Sequence, residues 1–78
     1  MLGKNKYIES YSWLIVGDSS EDRVFVEFQD QNGEEFLYTS LDPEGGLELK
    51  IISNEKHLNL TIAMLEEIIE LSREKLIL

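Results

Sequence analysis

The apolar residues of this chain change their period once. Through Ile52 they alternate along the chain, as in Val24, Val26 and Phe28 or Leu47, Leu49 and Ile51. After Asn59 they recur every three to four residues, and no Gly or Pro occurs from Leu60 to Leu78. Alternation belongs to strands with one wet face, and the longer period to an amphipathic helix. The chain therefore reads as a sheet followed by one helix.

Turn residues divide the alternating part. Tyr7–Val16 is rich in aromatic and β-branched residues and ends in the polar run Gly17-Asp18-Ser19-Ser20-Glu21-Asp22. Arg23–Gln29 and Glu35–Leu41 flank Asp30-Gln31-Asn32-Gly33-Glu34, whose Asn-Gly pair tolerates positive φ and signals a hairpin. Asp42-Pro43-Glu44-Gly45-Gly46 makes a second turn before Leu47–Ile52. The expected fold is α+β: a four-stranded, mostly antiparallel sheet in hairpin order. Its strands lie at about 7–16, 23–29, 35–41 and 47–52, and a helix at about 60–77 packs across one face. Residues 1–78 read as a single domain, and Ser53–Leu58 as a plain strand-to-helix loop.

The helix, with Asn59 or Thr61 available as N-cap, carries two apolar stripes. Leu58, Ile62, Leu65, Ile68, Ile69, Ser72 and Leu76 share one face. Leu60, Met64, Leu71 and Leu78 form a second stripe beside it. Together they exceed what one sheet face needs, which marks the second stripe as a candidate dimer surface.

The register of the central hairpin decides what the uncovered sheet face displays. A two-residue turn at Asn32-Gly33 pairs Glu27 with Tyr38 and Gln29 with Phe36. Phe25, Phe36 and Tyr38 then lie on the open face around Glu27. A three-residue loop with a bulge slips the register by one and sends Phe36 and Tyr38 into the core. Both registers leave apolar side chains on the open face.

The net charge is −9, and all of that excess lies between Gly17 and Glu48, where ten acids meet only Arg23. Elsewhere six acids balance six bases. This disfavours direct binding to nucleic acid or an anionic membrane, which relies on Lys and Arg. It favours a basic protein partner, whose approach the negative field accelerates. The chain has no Cys and one His, His57, so neither a thiol nucleophile nor a zinc site can be assembled. Its serines lack a nucleophile-elbow context. The acids sit where water keeps their pKa values ordinary, so no catalytic dyad is expected. Asp30–Glu34 clusters oxygen donors as part of an EF-hand loop does, but lacks the bidentate Glu and the flanking helices. No cofactor, metal or catalytic residue is expected, and with no long apolar run and no Cys the chain reads as cytoplasmic.

Asn5-Lys6-Tyr7-Ile8-Glu9-Ser10-Tyr11, leading through an acidic turn to Val26-Glu27-Phe28, resembles the first hairpin of small phage uracil-DNA glycosylase inhibitors. The C-terminal helix departs from that pattern, and no residue role is carried over.

The resulting expectation is a non-catalytic acidic protein that docks on a basic, nucleic-acid-binding surface of a partner. As such it acts as an inhibitor: a DNA mimic, a phage anti-defence or anti-CRISPR-like factor, or an immunity protein. The partner-binding candidates are Glu21, Asp22, Glu27, Asp30, Glu34, Glu35 and Asp42 for charge, with Trp13, Phe25 and Tyr38 as anchors. The alternative is a homodimeric structural subunit or adaptor, closed through Leu60, Met64, Leu71 and Leu78 and the open sheet face, with charge serving solubility only.

Overall fold

The structure, a computed structural model, describes residues 4–18 (Asp18 by its backbone alone), 23–52 and 57–77. Its elements are β1 (Asn5–Tyr7), β2 (Ser12–Asp18), β3 (Arg23–Gln29), β4 (Glu35–Leu41), β5 (Leu47–Ile51), β6 (His57–Asn59) and α1 (Ile62–Leu76). β2-β3-β4-β5 form a four-stranded antiparallel sheet in chain order, with α1 packed against β3 and β4. The α+β architecture expected from the change of period is the one observed.

The N-terminal segment departs from the expected single strand. It breaks at Ile8, which is buried, and Asn5–Tyr7 pairs in parallel with His57–Asn59. Hydrogen bonds from Ile8 N–H to the Asn59 carbonyl and from His57 N–H to the Lys4 carbonyl, each 2.9 Å, hold the pair together. Of the stretch that resembled a hairpin with Val26-Glu27-Phe28, Asn5–Tyr7 thus lies in the two-stranded sheet, and residues 8–11 lie in no strand. His57 and Leu58 lie in a strand rather than a plain loop, Asn59 ends that strand, and it is Thr61 that caps the helix, its hydroxyl accepting from Met64 N–H at 3.0 Å.

The central hairpin combines features of both expected registers. Asp30 N–H donates to the Glu34 carbonyl and Gly33 N–H to the Asp30 carbonyl, so the loop is the three residues Gln31-Asn32-Gly33, with Gly33 at φ 81°. Alone, that loop shifts every later pair by one. A bulge then intervenes: Gln29 pairs with Glu35, but Phe28 pairs with Leu37, leaving Phe36 as the extra residue. From there the register is that of a two-residue turn, with Glu27 opposite Tyr38 and Val26 opposite Thr39. Phe36 is consequently buried and belongs to the core, not to the open face.

The core comprises Ile8, Val26, Phe28, Phe36, Leu37 and Ile68, with Tyr11 packed edge-on against Phe28. On α1, Ile68 and Ser72 sit at the buried centre. Met64 and Leu71, together with Leu60 just before the helix, pack against this core. The second stripe is therefore not a free dimer surface; Leu78 lies outside the described residues. The opposite margin is the wetter one, with Ile62 74% exposed.

One polar contact joins helix to sheet inside the core. The Thr39 hydroxyl donates to Ser72 Oγ at 2.7 Å, and the Ser72 hydroxyl donates to the Ile68 carbonyl at 2.7 Å. Both side chains are fully buried. Ser72→Ala strands the Thr39 hydroxyl, and we expect a loss of about 1–3 kcal/mol in urea unfolding. Adding Thr39→Val removes the stranded group and should restore much of that loss.

Candidate docking face

Cross-strand partners share a face, so the register assigns every strand residue to one side of the sheet. Val26, Phe28, Leu37 and Thr39 point toward α1. Val16, Phe25, Glu27, Tyr38, Glu48 and Lys50 fall on the uncovered side. There the rings of Phe25 and Tyr38 meet edge to face, 5.5 Å between centroids. With Val16, Glu27 and Glu35 they line an open hollow of about 240 Å³.

Arg23 braces the same face. Its guanidinium lies 5.2 Å from the Phe25 ring centroid and donates to Ser40 Oγ at 3.2 Å. Ser40 is buried beneath it although it lies on the uncovered side. The aromatic pair is therefore held between strands and pre-oriented, which lowers the entropy lost when a ligand side chain contacts it. A hollow with an apolar floor and two carboxylates at its margin suits a Lys or Arg side chain. The stem of such a side chain would lie on the rings and Val16, with the charged head at the acids.

Of the residues expected to bind a partner, the structure brings together Glu27, Glu35, Phe25 and Tyr38. Glu34 is exposed at the hairpin tip, 3.6 Å from Lys6 Nζ. Asp42 serves its own turn: its Oδ1 accepts from the N–H groups of Glu44 and Gly46, each at 2.8 Å. Trp13 lies on the helix side of the sheet at its outer strand, with Lys75 Nζ 5.1 Å from its ring centroid, so it cannot join the Phe25–Tyr38 pair. Glu21 and Asp22 lie outside the described residues. Val16 and Arg23 were not anticipated, because the long turn after Gly17 left the β2–β3 register unspecified.

Asp30 is the clear correction. Its carboxylate is fully buried and cannot present charge to a partner. Oδ1 accepts from Asn32 N–H at 2.8 Å and Glu34 N–H at 3.0 Å, while Oδ2 meets Lys6 Nζ at 2.7 Å. Oxygen donors that resembled a cation loop are thus spent on the hairpin's own backbone. Among the described residues no three acidic or His side chains converge on a cation position. No described helix is long and apolar enough to cross a membrane. No family model, curated protein or solved structure matches the chain, so the geometry alone supports any functional reading.

Burial pushes the Asp30 carboxyl up, but the Lys6 ammonium and the two N–H donors outweigh it and hold the group below its ordinary 3.8. The Asp30 contact raises Lys6 above its ordinary 10.5 against the desolvation that lowers it. The stability Asp30 contributes is complete above pH 3.8 and is lost as pH falls through its lowered value. That from Lys6 is complete below pH 10.5 and is lost as pH rises through its raised value. Asp30→Asn should cost about 2–3 kcal/mol at neutral pH. It should also flatten the acid limb of stability against pH, as followed by chemical denaturation between pH 2 and 7.

Proposed function

We propose that this chain is a non-catalytic binding protein that docks on a basic surface of a partner protein through its open sheet face. The observation that carries the reading is the hollow of Val16, Phe25 and Tyr38 bordered by Glu27 and Glu35. Buried aromatic anchors with adjacent charge dominate binding energy, whereas scattered rim charges contribute little. The hollow receives a Lys or Arg of the partner, and the rest of the acidic surface steers the approach. A partner whose basic surface binds nucleic acid is inhibited by simple occlusion. That makes this chain an inhibitor of the DNA-mimic or anti-defence kind, with charge replacing phosphate.

The test is affinity capture from the source cell at low and high salt, with bound proteins identified by mass spectrometry. Glu27→Lys/Glu35→Lys should weaken capture of the principal partner at least about tenfold, ~1.4 kcal/mol. Glu66→Lys/Glu74→Lys on the exposed side of α1 makes the same change in net charge and should leave capture nearly intact. Equal losses from both double variants would reduce the acids to a general field and remove the hollow from the account.

A further inference from the structure

The outer strand β2 has an unsatisfied edge of unusual composition. Among the described residues, β3 is its only partner, so one side of its backbone is unpaired. Strands normally discourage a further strand by carrying charge, especially Lys, at such an edge. The opposite outer strand does so with Glu48 and Lys50. From Ser10 to Gly17, by contrast, there is no acid and no base. Trp13, Leu14 and Ile15 are 39%, 41% and 51% exposed, and they alternate between the two faces. Covering one face of the sheet would hide only some of them; a strand added at the edge covers both sets.

We propose that β2 pairs antiparallel with β2 of a second copy of this chain, centred on Ile15. That two-fold register sets Ile15 against Ile15, Leu14 against Val16, Trp13 against Gly17 and Ser12 against Asp18. Two features of the chain fit it. A Cβ built on Gly17 would meet nothing within 4 Å, so the glycine leaves an open slot beside exposed Val24 that the facing Trp13 ring can cover. Large aromatics packed over an edge glycine stabilise strand pairs in this way. Charge also selects this edge. Two chains of net charge −9 repel over most approaches, and in this register no acid faces an acid, because Asp18 falls opposite Ser12. The occupant is a second copy because the strand's spacing of Trp13 and Gly17 about Ile15 is complementary to itself.

The experiment is sedimentation equilibrium of the intact chain across a concentration series, beside three single variants. The wild type should shift with concentration from 9.0 kDa toward twice that mass. Ile15→Lys should remain at 9.0 kDa with an unchanged far-ultraviolet circular dichroism spectrum. Because the chain has no Cys, introduced thiols report position directly. Facing Cα atoms in an antiparallel pair lie about 4.5–5.5 Å apart, within the range a disulfide spans. Mild oxidation should therefore link Ile15→Cys into a covalent dimer and leave Leu49→Cys, on the opposite outer strand, largely unlinked. The thiol comparison decides the matter even where Ile15→Lys fails to fold. A wild type that stays at 9.0 kDa to millimolar concentration overturns the proposal. A dimer unaffected by Ile15→Lys, or one linked through Leu49→Cys and not Ile15→Cys, overturns it as well.

Discussion

The buried Asp30 carboxylate is the contact on which the arrangement of the sheet depends. An ionised carboxyl taken out of water costs several kcal/mol unless donors replace its hydration. Asp30 has two backbone N–H groups on one oxygen and the Lys6 ammonium on the other. Those N–H groups belong to Asn32 and Glu34, so satisfying the charge also closes the loop in one conformation. With the loop set at three residues, the bulge at Phe36 becomes the only way to bring Val26 opposite Thr39 and Phe28 opposite Leu37. Lys6 meanwhile joins the small β1–β6 sheet to the same hairpin tip. Gln31 adds to that junction, donating to the Tyr7 carbonyl at 2.9 Å and accepting from Glu9 N–H at 3.1 Å.

Which parts of this were legible in the sequence follows from the range of the interactions. Alternation and the 3.6-residue period are local signals, so the four main strands, their order and the helix could be read directly. Register is not local. Asn-Gly announces a hairpin, but the loop length depends on where the Asp30 side chain finds its donors, and the bulge on how much room the core has for Phe36. Three-residue strands such as β1 and β6 carry too little pattern to be seen; they exist because distant segments meet. The helix wheel placed Ile68 and Ser72 correctly on the inner face. It set Met64 and Leu71 apart only because a wheel does not show how far the core wraps around α1.

The candidate site was half visible for the same reason. Counting acids located the charge in the middle of the chain but not in space. The folded chain takes Asp30 inside, spends Asp42 on a turn and leaves Glu27 and Glu35 beside the Phe25–Tyr38 pair. The resulting face owes its chemistry less to net charge than to juxtaposition. Carboxylates next to a rigid apolar floor act on a ligand that has already shed water, where their interaction is screened least. Arg23 adds a constraint of its own: its guanidinium lies over the Phe25 ring without lining the hollow.

Val16 belongs to both surfaces singled out by the structure, since it floors the hollow and its backbone lies in the free-edged strand. In the paired form its neighbour across the new strand junction is Leu14 of the second copy, at the usual strand spacing of about 4.7–4.9 Å. Each hollow would then gain an apolar wall that one chain alone leaves wet, and the two hollows would share one continuous sheet face. A ligand surface with two cationic side chains at matching separation engages both, and the second contact is made at high effective concentration. Pairing through β2 would therefore strengthen the proposed docking by the open face rather than compete with it. An edge dimer blocks neither the Phe25–Tyr38 rings nor the carboxylates beside them, because added strands extend a sheet sideways and leave its faces uncovered.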